Sequence, residues 1–175
     1  MKIALVHDWL TGMRGGEKVL EALCEIYPHA DVFTLVHVKG SVSETIEARR
    51  VITSPLQHFP QAEKRYRHYL PFMPWAIGRL DLRGYDLVIS SSHCVAKGVR
   101  VPRGALHVCY CHTPMRYIWD QYDQYFGPGR AGVLTRAAMA LLRGPLQKWD
   151  LASNAGVDHF VANSRNVAER IHRLY

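Results

Sequence analysis

The sequence predicts an α/β fold: an open, mostly parallel sheet wrapped by helices on both faces. Three observations carry this. Short apolar runs alternate along the chain with segments whose apolar residues recur every three or four positions. The short runs are apolar at successive positions instead of every second one, as in strands buried on both faces. The 175 residues, 48% of them hydrophobic, make one domain-sized unit able to bury about 70% of its unfolded-chain surface, so a core needs no disulfide or metal.

Residues 2–6 open the chain as a continuous apolar strand. Residues 12–16, with Gly12, Gly15 and Gly16, form a flexible loop, and Val19, Leu20, Leu23, Cys24 and Tyr27 then mark a helix over 17–27 that Pro28 ends. Residues 31–36 read as a second strand and 48–54 as a third, ending at Pro55. Residues 60–82 read as two short helices broken at Pro71 and Pro74. Strands follow at 86–90 and 105–110, then a helix over 130–151 interrupted at Gly144 and Pro145. A last strand at 159–162 leads through Asn163 and Ser164, a capping pair, into a helix over 165–175. That helix still has Ile171 and Leu174 on its apolar face where the sequence stops, the pattern expected of a fragment.

Charge is asymmetric: 22 Lys and Arg against 15 Asp and Glu give +7, which suits an anionic membrane or a phosphorylated substrate. Nucleic acid is not expected, since the basic residues are scattered and no zinc-finger spacing, aromatic RNA-binding strand or basic heptad region is present. Cys24, Cys94, Cys109 and Cys111 form no CxxC pair, which points to reduced thiols and a cytoplasmic location. His7 and Asp8 break the first apolar run before a signal-peptide core develops, and no run approaches the ~18 apolar residues of a membrane span.

In a sheet of this kind ligands bind beyond the carboxyl ends of the strands, so the residues after each strand carry the functional expectation. After the first come His7, Asp8 and the Gly15-Gly16 pair. Glycines at a helix N-terminus let backbone N–H groups approach an anion, although a tight turn explains them equally well. Glu17 fits the helix dipole. After the fourth come Ser90, Ser91, Ser92 and His93, read as helix caps; a Ser–His nucleophile lacks its G-x-S-x-G elbow. After the fifth come Cys109, Cys111 and His112. The cysteines share one strand face and His112 lies on the other, which argues against zinc and leaves His112 a functional candidate. The aromatic stretch Tyr66 to Trp75 reads as core or as the wall of a groove. Residues 130–148 form a basic amphipathic helix that suits an anionic membrane or a solvated face.

Four strings stand in order: His-Asp-Trp-Leu followed by Gly-Gly-Glu-Lys-Val-Leu; Asp-Leu-Val-Ile-Ser-Ser-Ser-His; Tyr-Cys-His-Thr-Pro-Met-Arg-Tyr-Ile-Trp-Asp; and Phe-Val-Ala-Asn-Ser-Arg-Asn-Val-Ala-Glu-Arg-Ile. Together, over essentially the whole chain, they resemble the N-terminal half of a family 4 glycosyltransferase of the GT-B fold, with the flavour of bacterial mannosyltransferases of O-antigen and exopolysaccharide assembly. The resemblance implies that residues 1–175 are a Rossmann-like, acceptor-side domain whose donor-binding C-terminal partner lies outside the chain. It implies retaining transfer of a sugar from a nucleotide-sugar, GDP-mannose or a similar donor, to a glycan or lipid-linked acceptor, without a metal. By the same resemblance His112 lies at the reaction centre against the transferred sugar. Gly15 and Gly16 approach the donor diphosphate, Asn163 and Ser164 serve the donor side, and His7, Asp8 and Arg116 line the acceptor side. The contrasting expectation is a non-catalytic module that docks on an anionic membrane or a partner protein.

Overall fold

The first strand of the chain is one of the central strands of the sheet. In a computed structural model that describes residues 1–130 and 132–175, β1 (Ile3–His7) is paired on both edges, with β2 (Asp31–Thr34) and β4 (Leu87–Ser92). β3 (Val51–Thr53), β5 (Leu106–Cys111) and β6 (His159–Ala162) complete a six-stranded sheet in the order β3-β2-β1-β4-β5-β6, every pair parallel. The order runs outward in both directions from the β1/β4 boundary, which makes that boundary the topological switch point of a Rossmann-like sheet.

Each face of the sheet has its own core. Leu5 on β1 and Ile89 on β4 pack against Leu20 and Cys24 of α1 (Gly15–Ile26) and Ile46 of α2 (Glu44–Glu47). Ala4, Val6 and Val88 face the other way, toward α3 (Ala62–Arg65), a 3-10 run at Tyr66–Phe72, α4 (Met73–Ile77), α5 (Tyr122–Phe126) and α6 (Val133–Ala152). The two-residue pleat sends neighbouring apolar residues to opposite layers, which is why the strands read as continuous apolar runs. α7 (Arg165–Leu174) covers the β5–β6 edge, with Val167 against Cys109 and Cys111. Ser164 caps it by accepting the Val167 N–H at 3.2 Å.

Several boundaries differ from the sequence reading for identifiable reasons. β2 stops at Thr34 because Leu35 turns to bond the Asp8 carbonyl. The helices α2 and α5, four and five residues long, are too short to leave a periodic signal. α6 runs unbroken through Gly144 and Pro145. Both residues lie on its exposed side, where solvent takes the carbonyl that proline leaves unbonded. The Ser90-Ser91-Ser92 triplet belongs to β4 and does not cap an α-helix. Only Ser92 bonds the turn that follows, accepting the Lys97 N–H at 3.2 Å.

On the α6 side a buried ion pair ties the layers together. Lys97 Nζ lies 3.1 Å from Asp150 Oδ1 and donates to the Asp150 carbonyl, Ser153 Oγ and Asn154 Oδ1 at 2.5–2.7 Å. Asp150 Oδ2 accepts from Trp119 Nε1 at 2.8 Å and from the Tyr175 hydroxyl at 3.0 Å. Burial, reinforced by Asp150, pushes the Tyr175 phenol far above its ordinary pKa.

Candidate functional site

At the switch point the carboxyl ends of β1, β4 and β5 bring three imidazoles together. The register sets His7 beside Ser91 and Ser91 beside Tyr110. His112 follows β5 directly, its N–H still bonded to the Ser92 carbonyl at 2.9 Å. The ring centroids of His7, His93 and His112 lie 6.0, 6.4 and 6.5 Å apart. Ser91 Oγ sits between two of them, 3.1 Å from His7 Nδ1 and 2.8 Å from His112 Nε2.

Helix α1 closes this cluster from one side. The loop before it turns at Gly12, whose φ of +145° side chains rarely adopt. At Gly16 a Cβ would lie 3.2 Å from His7 Cε1 and 3.7 Å from His112 Nε2, so the absent side chain is what lets the helix approach both rings. Gly15 has open space around the same position, and first-turn N–H groups have no intrahelical acceptor. Glu17 reaches back to accept the Arg14 N–H at 3.1 Å and turns its other oxygen toward His7 Nε2 at 3.8 Å.

The electrostatics of the cluster follow from burial. Desolvation by burial pushes His112 down to about 4, so the ring is neutral near pH 7. Burial works against ionised Asp8, yet the adjacent His93 ring at 3.0 Å and the backbone N–H groups around the carboxylate together outweigh it and hold the carboxyl far below the usual carboxylate range. Asp8 also accepts the backbone N–H groups of His93, Cys94, Val95 and Ala96 at 2.6–3.0 Å.

This geometry sorts the expected site residues. Gly16 and His112 meet, with His112 half-buried at the rim. Asp8 does not line an acceptor surface: it has no exposed area, and its carboxylate is spent on the turn after β4. His7 is likewise fully buried, behind Gly16, and reaches the rim only through Ser91. Arg116 is exposed, and its guanidinium makes no hydrogen bond or ion pair among the described residues. Asn163 is exposed one step past the Cys111–Ala162 pair, the position that corresponds to His112 on the neighbouring strand, while Ser164 is occupied as the α7 cap. Cys109 and Cys111 pack on the opposite face from His112, as the strand alternation requires. Among the described residues no three His, Cys, Asp or Glu side chains are grouped to hold a metal ion.

The sequence reading gave no functional part to Ser91, His93 or Glu17. A hydroxyl triplet with a histidine after it and a glutamate in a first helical turn are individually ordinary. The β1–β4 register and the close approach of α1 at Gly16 make them neighbours.

A parallel sheet in this strand order, with polar groups gathered at its switch point beneath a glycine-opened helix, is a Rossmann-like ligand-binding domain. The sequence model described as Glycosyltransferase Family 4 matches residues 13–175, and the chain belongs to that family. The six-stranded sheet is consistent with the N-terminal domain of a GT-B-type enzyme, and the family carries glycosyltransferase function in general, on nucleotide-sugar and acceptor substrates. No curated protein and no solved structure gives a significant match.

Proposed function

We propose that this chain is the acceptor-side domain of a retaining glycosyltransferase that moves mannose from GDP-mannose to a glycan or lipid-linked acceptor, a second domain outside the chain holding most of the donor. The observation that supports it is the meeting of Gly16 and His112 across the switch point. Retaining transfer develops oxocarbenium character on the sugar and negative charge on the leaving diphosphate. In this reading His112, neutral and at the rim, faces the sugar. The free N–H groups at Gly15 and Gly16 face the diphosphate, where the α1 dipole favours negative charge. Basic side chains and these dipoles stabilise the leaving group, and the reading assigns no role to a metal. Asn163, beside His112 at the end of the adjacent strand, is the further donor-side candidate.

The test uses the complete protein that carries this chain. His112→Ala is expected to lower transfer from GDP-mannose by about 100-fold or more, the range seen when one preorganised polar group is removed from a reacting centre. Its unfolding midpoint should stay close to that of the parent. Unchanged turnover would remove His112 from the mechanism. Transfer from other nucleotide-sugars but not from GDP-mannose would correct the donor.

A second reading concerns location, and the face of α6 favours it. Val133, Leu134 and Leu141 are 79–88% exposed on a helix that carries Lys148 and follows Arg130, in a chain of net charge +7. No helix among the described residues is long and apolar enough to cross a membrane. Apolar side chains beside cations suit the surface of an anionic bilayer, which would bring a lipid-linked acceptor to the domain. Co-sedimentation with phosphatidylserine vesicles should be lost in Leu134→Asp/Leu141→Asp. Equal sedimentation of parent and variant would remove α6 as the contact.

A further inference from the structure

Ser91 has one proton and two imidazole neighbours, so it can donate to only one of them. What lies behind His7 decides which. His7 Nε2 is buried, has no hydrogen-bond partner among the described residues, and faces Glu17 Oε1 at 3.8 Å. Glu17 is itself buried, and its other oxygen accepts the Arg14 N–H. A bare Nε2 would turn its lone pair toward a carboxylate across 3.8 Å, a gap too short for a water to bridge, whereas a protonated Nε2 points a positive hydrogen at it. As a neutral imidazole in this geometry, His7 carries its proton on Nε2 and is bare at Nδ1. Ser91 must then donate to His7 Nδ1, and its oxygen accepts from His112 Nε2.

From this chain of contacts we infer that Glu17, His7 and Ser91 are positioning residues that hold His112 in one tautomer, with the proton on Nε2 and a bare lone pair on Nδ1. His112 Nδ1 has no hydrogen-bond partner among the described residues and belongs to the half-buried ring at the rim. It accepts a hydrogen bond and cannot give one. If the ring meets a sugar, as the transferase reading holds, the group it recognises is a donor such as a hydroxyl, and a carbonyl or carboxylate at that place is disfavoured. That last step rests on the proposed function; the tautomer does not.

Nitrogen-15 spectroscopy of the imidazoles at pH 7 reads this directly, with His7→Gln and His112→Gln used to assign the signals. The parent chain is expected to show His112 and His7 both protonated at Nε2. Ser91→Ala removes the acceptor of the His112 proton and should turn a nearly single tautomer into a mixture. Glu17→Gln contacts neither Ser91 nor His112, yet it should shift the same signal in the same direction by a smaller amount; it decides the matter alone if Ser91→Ala does not fold. His112 found protonated at Nδ1 in the parent overturns the inference, and so does a His112 signal unmoved by Glu17→Gln. An Nε2-protonated His112 that responds to Glu17→Gln, together with unchanged transfer by His112→Ala, would uphold the positioning chain while removing the transferase role of the ring.

Discussion

Two buried polar clusters lie beside the same sheet and differ in how completely their atoms are partnered. Around Lys97 and Asp150 the ammonium is held by four oxygens, and the carboxylate by the ammonium, an indole N–H and a phenol. Around His112 one imidazole nitrogen is buried without a partner among the described residues, and the ring at the rim has one nitrogen that bonds none of them. Saturation fixes a structure; an unfilled valence at an accessible edge leaves something for a ligand to complete. The difference marks the saturated ion pair as structural and the looser cluster as the candidate site.

The widest separation between the two should come from single substitutions. Lys97→Met leaves Asp150 charged and buried, and is expected to cost about 3–5 kcal/mol in urea unfolding. His112→Ala removes one hydrogen bond of a half-buried ring and should cost only about 1 kcal/mol by the same measurement. Equal losses would erase the distinction between a structural and a functional cluster.

Asp8 tests whether the rim contains a structural element of its own. Asp8→Asn puts an amide where four backbone N–H groups converge on two oxygens, and a loss of about 2–4 kcal/mol is expected. A variant as stable as the parent would mean that the turn after β4 is held by other contacts.

Acid should weaken the histidine cluster before it reaches Asp8. His112 titrates near 4 when folded and near 6.5 when unfolded, and burial shifts His107 in the same direction. The unfolded chain therefore binds more protons in that interval, and stability falls as the pH drops from about 6.5 toward 4. The His112 share is on the order of 1 kcal/mol after allowing for the ring's contact with solvent. Asp8 has a depressed folded pKa, so its contribution persists through this range and is lost only below the ordinary carboxylate value of 3.8. Following the unfolding midpoint from pH 8 to 3 should show this two-stage decline, the first stage shallower in His112→Asn.

The smallest effect expected is a contrast between adjacent glycines. Gly15→Ala enters open space at a helix start and should be neutral or stabilising by up to about 1 kcal/mol. Gly16→Ala gains the same propensity but pushes on the buried His7 ring, which should cancel the gain and perturb the His112 resonance. If the two variants behave alike, the close approach of α1 to the rings does not matter.

The sheet was legible because burial on both faces of β1, β2 and β4 writes itself as apolar runs, and all six strands overlap the segments read as strands. Strand order was not legible, since nothing local states that β1 lies beside β4 and not beside β3. The candidate site was readable to the same degree: His112 and the glycine pair announce themselves by position after a strand. The tasks of Asp8 and Lys97 depend on partners about 85 and 53 residues away. Lys97 in Val-Ala-Lys-Gly-Val-Arg reads as an ordinary solvated lysine until α6 is laid over it.

The central place of β1 has a consequence for how the protein is made. β1 is synthesised well before the strand that completes its pairing, which ends at Ser92. Until that point has been synthesised, one row of backbone hydrogen-bonding groups in a hydrophobic segment stays open to whatever is nearby. The nascent chain is thus committed to an interval of exposure set by translation speed, during which a chaperone that recognises short apolar segments would find its target in β1.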